Sequence, residues 1–198
     1  MSNYENGSGQ MPGLVRLGRI ADRWLSGVEW ATMILGCCAL AAVMLILFFD
    51  GTLRYLLHRP LTFAMDLVTL YLLSTALLLT MSYTLRQGGH ISVDMFAGMM
   101  SPRVRVLLFG ASLLVAVPFI AIIGYELTVQ SWDSWTRGEK LIGLHAFPLW
   151  LSRAIVAASF VVLGLRVVHL GLFNFLSGLT GDASLAYPIE THPEEEGI

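Results

Sequence analysis

The run Trp30–Phe49 contains no charged residue and is long enough to cross a hydrocarbon layer about 30 Å thick. A backbone exposed to lipid must satisfy its own N–H and C=O groups, and a single segment can do that only as a helix. The run has three companions. Leu61–Leu85 is interrupted only by Asp66, and Val106–Tyr125 is free of charge. Pro118 inside the latter is tolerable because neighbouring helices can satisfy the carbonyl it frees. Ala154–Leu165 is shorter; it spans if Arg153 and Arg166 snorkel toward opposite interfaces and the helix is extended to about 149–172. These runs predict an all-α integral membrane protein, a four-helix bundle with spans near 30–49, 61–85, 106–125 and 149–172.

Composition points the same way. Only 13% of the 198 residues are charged while 56% are hydrophobic; ordinary globular domains carry about 25% charged residues. A chain this size cannot bury that apolar surplus within itself, so it must face lipid. The formal net charge of −2 provides no basic footprint for nucleic acid. Cys37 and Cys38 are adjacent within an apolar run and read as small hydrophobes rather than a disulfide or metal pair.

The ends differ from the spans. Residues 1–13 are polar and rich in Gly, Ser and Asn, which predicts disorder. Between 14 and 29, Leu17, Ile20, Ala21, Trp24, Leu25 and Val28 recur at helical spacing, with Arg16, Arg19, Asp22, Arg23 and Ser26 elsewhere on the wheel. That pattern predicts an N-terminal amphipathic helix lying in the membrane interface. Residues 179–198 form a polar tail ending in Glu194, Glu195 and Glu196. Ile34–Cys37 loosely resembles a lipoprotein cleavage site, but the apolar run continues to Phe49 and a long polar segment precedes it, so the first span is expected to stay.

Orientation follows from the basic residues. Arg16, Arg19, Arg23, Arg86, Arg103, Arg105 and Arg166 fall on one side; Arg54, Arg59, Arg137, Lys140 and Arg153 fall on the other. The positive-inside rule then places both termini in the cytoplasm. Trp132, Trp135 and Trp150 cluster near the outer loop, as an aromatic belt would.

Few residues invite chemistry. Asp66 is the one acid within an apolar run; a first-turn carboxylate stabilised by the helix dipole competes with an ion or substrate site. Asp50 and Arg54 are four apart and share a helix face, as an interfacial ion pair or as a contact to another subunit. Haem between facing histidines would suit a respiratory membrane anchor for quinone or haem. However, His58, His90 and His145 fall in loops, His192 in the tail, and His169 has no evident partner at depth. Gly88 and Gly89 lack the strand and lysine of a phosphate loop. No nucleophile elbow or metal-binding histidine pair is present, so no enzymatic activity and no bound cofactor are expected. An apolar bundle of this kind reads as a partner for another membrane protein.

Three stretches give that partner a class: Arg54-Tyr55-Leu56-Leu57-His58-Arg59-Pro60-Leu61, Arg86-Gln87-Gly88-Gly89-His90-Ile91-Ser92-Val93-Asp94-Met95, and Leu144-His145-Ala146-Phe147-Pro148-Leu149-Trp150. Together with four spans over residues 25–176, they resemble the small membrane subunit, DctQ-like, of tripartite ATP-independent periplasmic (TRAP) transporters. Where family members often carry two adjacent acids, this chain has Met65 and Asp66. The resemblance implies a role in inner-membrane secondary transport. A periplasmic binding protein would capture an organic anion such as a carboxylate or sugar acid, and a large multi-span subunit would carry it, coupled to sodium ions held there. The small subunit would enlarge the static scaffold among membrane lipids. It also implies subunit-interface or structural roles for Asp50, Arg54, Asp66, Gly88, Gly89, His90, Asp94 and Pro148, with the binding protein docking near His58, Arg59, Arg137 and Lys140.

Overall fold

The protein is seen here in a computed structural model that describes residues 12–59, 61–87, 101–142 and 146–181. The N-terminal residues 1–11, Pro60, Gly88, Gly89, His90, Asp94, His145 and the tail from residue 182, including His192, lie outside the described residues. Four long helices make up what is described: α1 (Pro12–Leu56), α2 (Ala64–Arg86), α3 (Pro102–Arg137) and α4 (Leu149–Thr180). All four are long and apolar enough to cross a membrane.

In helix α1, segment 14–29 is continuous with the first span rather than set apart from it: the 45 residues run without a break, a rod roughly 68 Å long. No proline interrupts it after Pro12, and Gly27 alone costs only about 1 kcal/mol, too little to end a helix packed on neighbours. Its first third stands against α4: a Cβ placed on Gly18 would lie 2.5 Å from the Phe173 ring, so the phenyl group fills the space that glycine leaves open.

The other boundaries have local causes. Helix α3 opens from extended Ser101 into Pro102 at its first position, where a missing N–H costs nothing. It ends at Gly138 in the left-handed conformation (φ 60°), whose N–H reaches the Trp135 carbonyl at 3.2 Å while Glu139 N–H reaches that of Ser134 at 3.0 Å. Gly181 (φ 72°) closes α4 with its N–H on Ser177 O at 2.8 Å. Pro118 sits inside α3 without ending it. In α2 the segment Val68–Leu72 is wound as a π-helix.

Helices α3 and α4 pair most extensively, α1 pairs with α2, and α4 touches all three others. Small residues permit the approach. A Cβ on Gly110 would meet the Phe175 backbone nitrogen at 2.4 Å, and one on Gly178 would meet Leu107 Cα at 2.8 Å. On the α1–α2 side, Gly36 lies under Thr80 and the Ala76 carbonyl. The core centres on Leu85, Leu163, Val167 and Leu170, with Leu113, Ala116, Val117 and Ile120 packed against it. Burial is uneven: 44% of the most apolar window of α4 is inside the bundle, against 17% for α1 and 6% for α3. Met44, Phe48, Phe119 and Ile122 therefore point outward.

Candidate functional site

Two polar assemblies, one near each end of the bundle, hold the helices together. The first joins α1, α2 and α4. Arg166, 1% exposed, donates from Nη1 to Asp22 Oδ1 at 2.6 Å, and its Nε lies 3.2 Å from Glu29 Oε1. Glu29, fully buried, also accepts the Ser82 hydroxyl at 2.8 Å. His169 brings Nε2 to 4.0 Å from Asp22 Oδ1, and its ring lies 4.8 Å from that of Phe173. Asn174, also fully buried, donates to the Leu170 carbonyl at 2.9 Å.

Arg166 was expected to snorkel to an interface; it turns inward instead. The reason is electrostatic. Two carboxylates on α1 face it: Asp22 accepts a charge-assisted hydrogen bond from Nη1, and Glu29 stands at ion-pair distance from Nε. Charges removed from water cost several kcal/mol each, a cost offset only when the partners stay in place. The cluster therefore acts as a latch fixing the rotation and height of α1 against α4. Among the described residues it encloses no group of three or more His, Cys, Asp or Glu placed to hold a metal ion. No second described histidine faces His169: His58 lies beyond the far end of α1.

The second assembly lies at the opposite end. Asp50 sits near the end of α1, where Oδ2 accepts from Arg54 Nη2 at 2.9 Å and Oδ1 accepts the Leu61 N–H at 2.7 Å. One carboxylate thus ties α1 to the approach to α2. His58 follows in the left-handed region (φ 53°) and, like Arg59, is exposed. Asp66 occupies the first turn of α2, half-buried, with no ion pair among the described residues. The π-helical segment just after it is gripped from α4: Tyr71 donates its hydroxyl to Pro148 O at 2.6 Å, and Ser152 donates to Leu70 O at 2.6 Å. A π-turn disturbs the regular carbonyl ladder, and here the Leu70 carbonyl accepts the Ser152 hydroxyl.

Pro148 precedes α4 and pairs with Lys140 in an isolated antiparallel bridge, where Leu141 N–H meets Phe147 O at 2.8 Å. Below it, Arg153 bonds Glu139 Oε2 at 3.0 Å and the Ser134 hydroxyl, and Trp135 meets Trp150 edge-to-face at 4.5 Å. Arg153, like Arg166, finds a carboxylate rather than reaching out alone. Arg137 pairs with Asp133 at 2.9 Å and approaches Glu139 at 3.9 Å; Lys140 is exposed without an ion pair among the described residues.

The structure brings Asp50, Arg54, Asp66 and Pro148 to one end of the bundle, together with His58, Arg59, Arg137 and Lys140. Glu29 and Ser82 had not been singled out from the sequence, and Asp22 and His169 had not been assigned to each other. A usable signal existed: opposite charges at similar distance from the same membrane face, on helices that run antiparallel.

This architecture defines a multi-pass membrane subunit whose buried Glu29, Asp50 and Arg166 are paired with opposite charges of the same chain. The chain belongs to the DctQ component family of tripartite ATP-independent periplasmic transporters, which it matches over residues 43–174. It is thus a small membrane subunit of a transporter of this kind. The match covers Ser82, Arg166 and His169, whereas Asp22 and Glu29 precede it. No curated protein and no solved structure matches the chain.

Proposed function

We propose that this subunit is a stationary scaffold in a sodium-coupled transporter of the inner membrane, importing an organic anion such as a carboxylate or sugar acid. The observation that carries this reading is the division of its surface. The buried charges between α1, α2 and α4 are paired with one another, while α1 and α3 leave broad apolar faces outward. Such a body has little to offer a solute. It offers a large apolar wall to lipid or to a large multi-span subunit, and a latch that keeps its helices from sliding. A transport domain that moves needs a partner that does not, or both would tilt together. Substrate and sodium would be handled by the large subunit, and substrate would arrive on a periplasmic binding protein docking at the end that carries Arg59, Arg137 and Lys140. Both termini would be cytoplasmic.

The test is a pull-down of this chain, tagged at its C-terminus, from native membranes in mild detergent, followed by sodium-gradient uptake in proteoliposomes with the recovered partners. The expected result is a large multi-span protein in near-equal amount, and uptake that requires the sodium gradient and the binding protein. Recovery of flavin or iron–sulfur subunits would overturn the reading.

A further inference from the structure

The N-terminal third of α1 has two faces with different fates. One face is locked to α4 through Gly18 against Phe173 and through Asp22 and Glu29 to Arg166. On another face Arg16, Arg19 and Arg23 recur at three- and four-residue intervals, so they share one side of the helix over about 10 Å. All three are exposed, and none forms an ion pair with any described residue. With Ile20 and Trp24 they border an open crevice of about 600 Å³. Ile20 and Trp24 are themselves 51% and 75% exposed. Because the opposite face is pinned, this one cannot rotate inward to discharge its arginines.

We propose that this crevice binds the headgroup of an anionic phospholipid. The chemistry fits: guanidinium groups present paired N–H donors to phosphate oxygens, and an indole beside them prefers the interfacial layer, with its ring toward the acyl chains. The placement fits as well. Arg23 lies about 10 Å along the helix from Trp30, where the charge-free run begins, so its long side chain reaches the headgroup layer, while Arg19 and Arg16, about 16 and 21 Å from Trp30, would meet a headgroup from the aqueous side. An acidic protein segment would match the charge, but it would not explain an exposed tryptophan and isoleucine beside the arginines on a helix that continues into the bilayer. This inference stands independently of the transport role.

The test uses the full chain purified in neutral detergent. Native mass spectrometry would count retained phosphatidylglycerol against phosphatidylcholine from equimolar mixtures. Three guanidinium groups attracted to one anionic headgroup set the expected preference for phosphatidylglycerol at about tenfold or more. The triple variant Arg16→Gln/Arg19→Gln/Arg23→Gln should lose most of it while melting at the wild-type temperature, since these side chains touch nothing in the core. Arg103→Gln/Arg105→Gln, which removes the exposed Arg103 and half-buried Arg105 near the start of α3, should keep it. As a second readout, brominated phosphatidylglycerol should quench the wild type more than Trp24→Phe. Equal retention of the two lipids by the wild type, or an equal loss in the two arginine variants, would overturn the proposal. So would unchanged quenching in Trp24→Phe.

Discussion

Asp22 and Arg166 are 144 positions apart in the chain and 2.6 Å apart in space, and the guanidinium between them and Glu29 is almost sealed from solvent. Removing one side of such a pair leaves an uncompensated buried charge, at a cost of about 3–5 kcal/mol. Arg166→Met should therefore lower the melting temperature of the purified subunit sharply. Glu29→Gln, which keeps an acceptor for the Ser82 hydroxyl, should cost much less. Scanning fluorimetry in detergent decides the matter; similar melting shifts for both would mean that the buried charge is not what holds α1 to α4.

The contact between α3 and α4 gives a sharper steric test. A side chain at Gly110 would run into backbone atoms of Phe175, which cannot swing aside. Gly110→Val should destabilise by about 1–3 kcal/mol or more. Gly124→Ala faces only an ordinary 3.7 Å contact with Phe160 and should be neutral or stabilising, given the roughly 1 kcal/mol helix preference of alanine over glycine. The pair can be ranked by the folded fraction recovered after graded heating.

Asp50 makes two bonds of unequal worth. Arg54 is mostly exposed, so its ion pair contributes about 1 kcal/mol or less. The Leu61 N–H has a stronger claim, because an orphaned buried donor costs about 1–3 kcal/mol. Asp50→Asn, which retains an acceptor, should be mild, and Asp50→Ala should be severe. Equal thermal shifts for the two would show that the charge matters and the bond to the Leu61 N–H does not.

Tyr71→Phe and Ser152→Ala each remove one bond to or from the π-helical segment, at about 1 kcal/mol apiece. Since Leu70 and Tyr71 are neighbours, the two effects should couple by at least about 0.5 kcal/mol in a double-mutant cycle. Strict additivity would separate the two contacts.

At the end proposed to dock the binding protein, Lys140 is the cleaner probe, because Arg137 already serves Asp133 and Glu139. Lys140→Glu should reduce reconstituted uptake several-fold at low binding-protein concentration and little at saturation, as rim charges act mainly on association. An equal loss at both concentrations would argue against docking there.

The four apolar helices were legible because hydropathy and length are local properties of the chain. The shared face of Asp50 and Arg54 was legible for the same reason: four residues apart is one turn. The latch was not. Asp22 fell among the polar residues of an amphipathic segment, and Arg166 read as an end-of-helix cation, because nothing within either segment records what stands opposite. Continuity of α1 through residues 29 and 30 was hidden by the composition change there, which marks a change of surroundings and not a break in the backbone.

The π-helical turn in α2 has a consequence for how the molecule is keyed. It inserts about one residue into the helical count, so the two halves of α2 are out of phase by roughly 100° relative to an unbroken α-helix. The π-helical segment is geared to Pro148 and the first turn of α4 through Tyr71 and Leu70, and the C-terminal half of α2 to α1 through Ser82 and Glu29. Deleting Leu72, the last residue of that segment, would preserve every one of those partners, yet the two gears could no longer mesh at once.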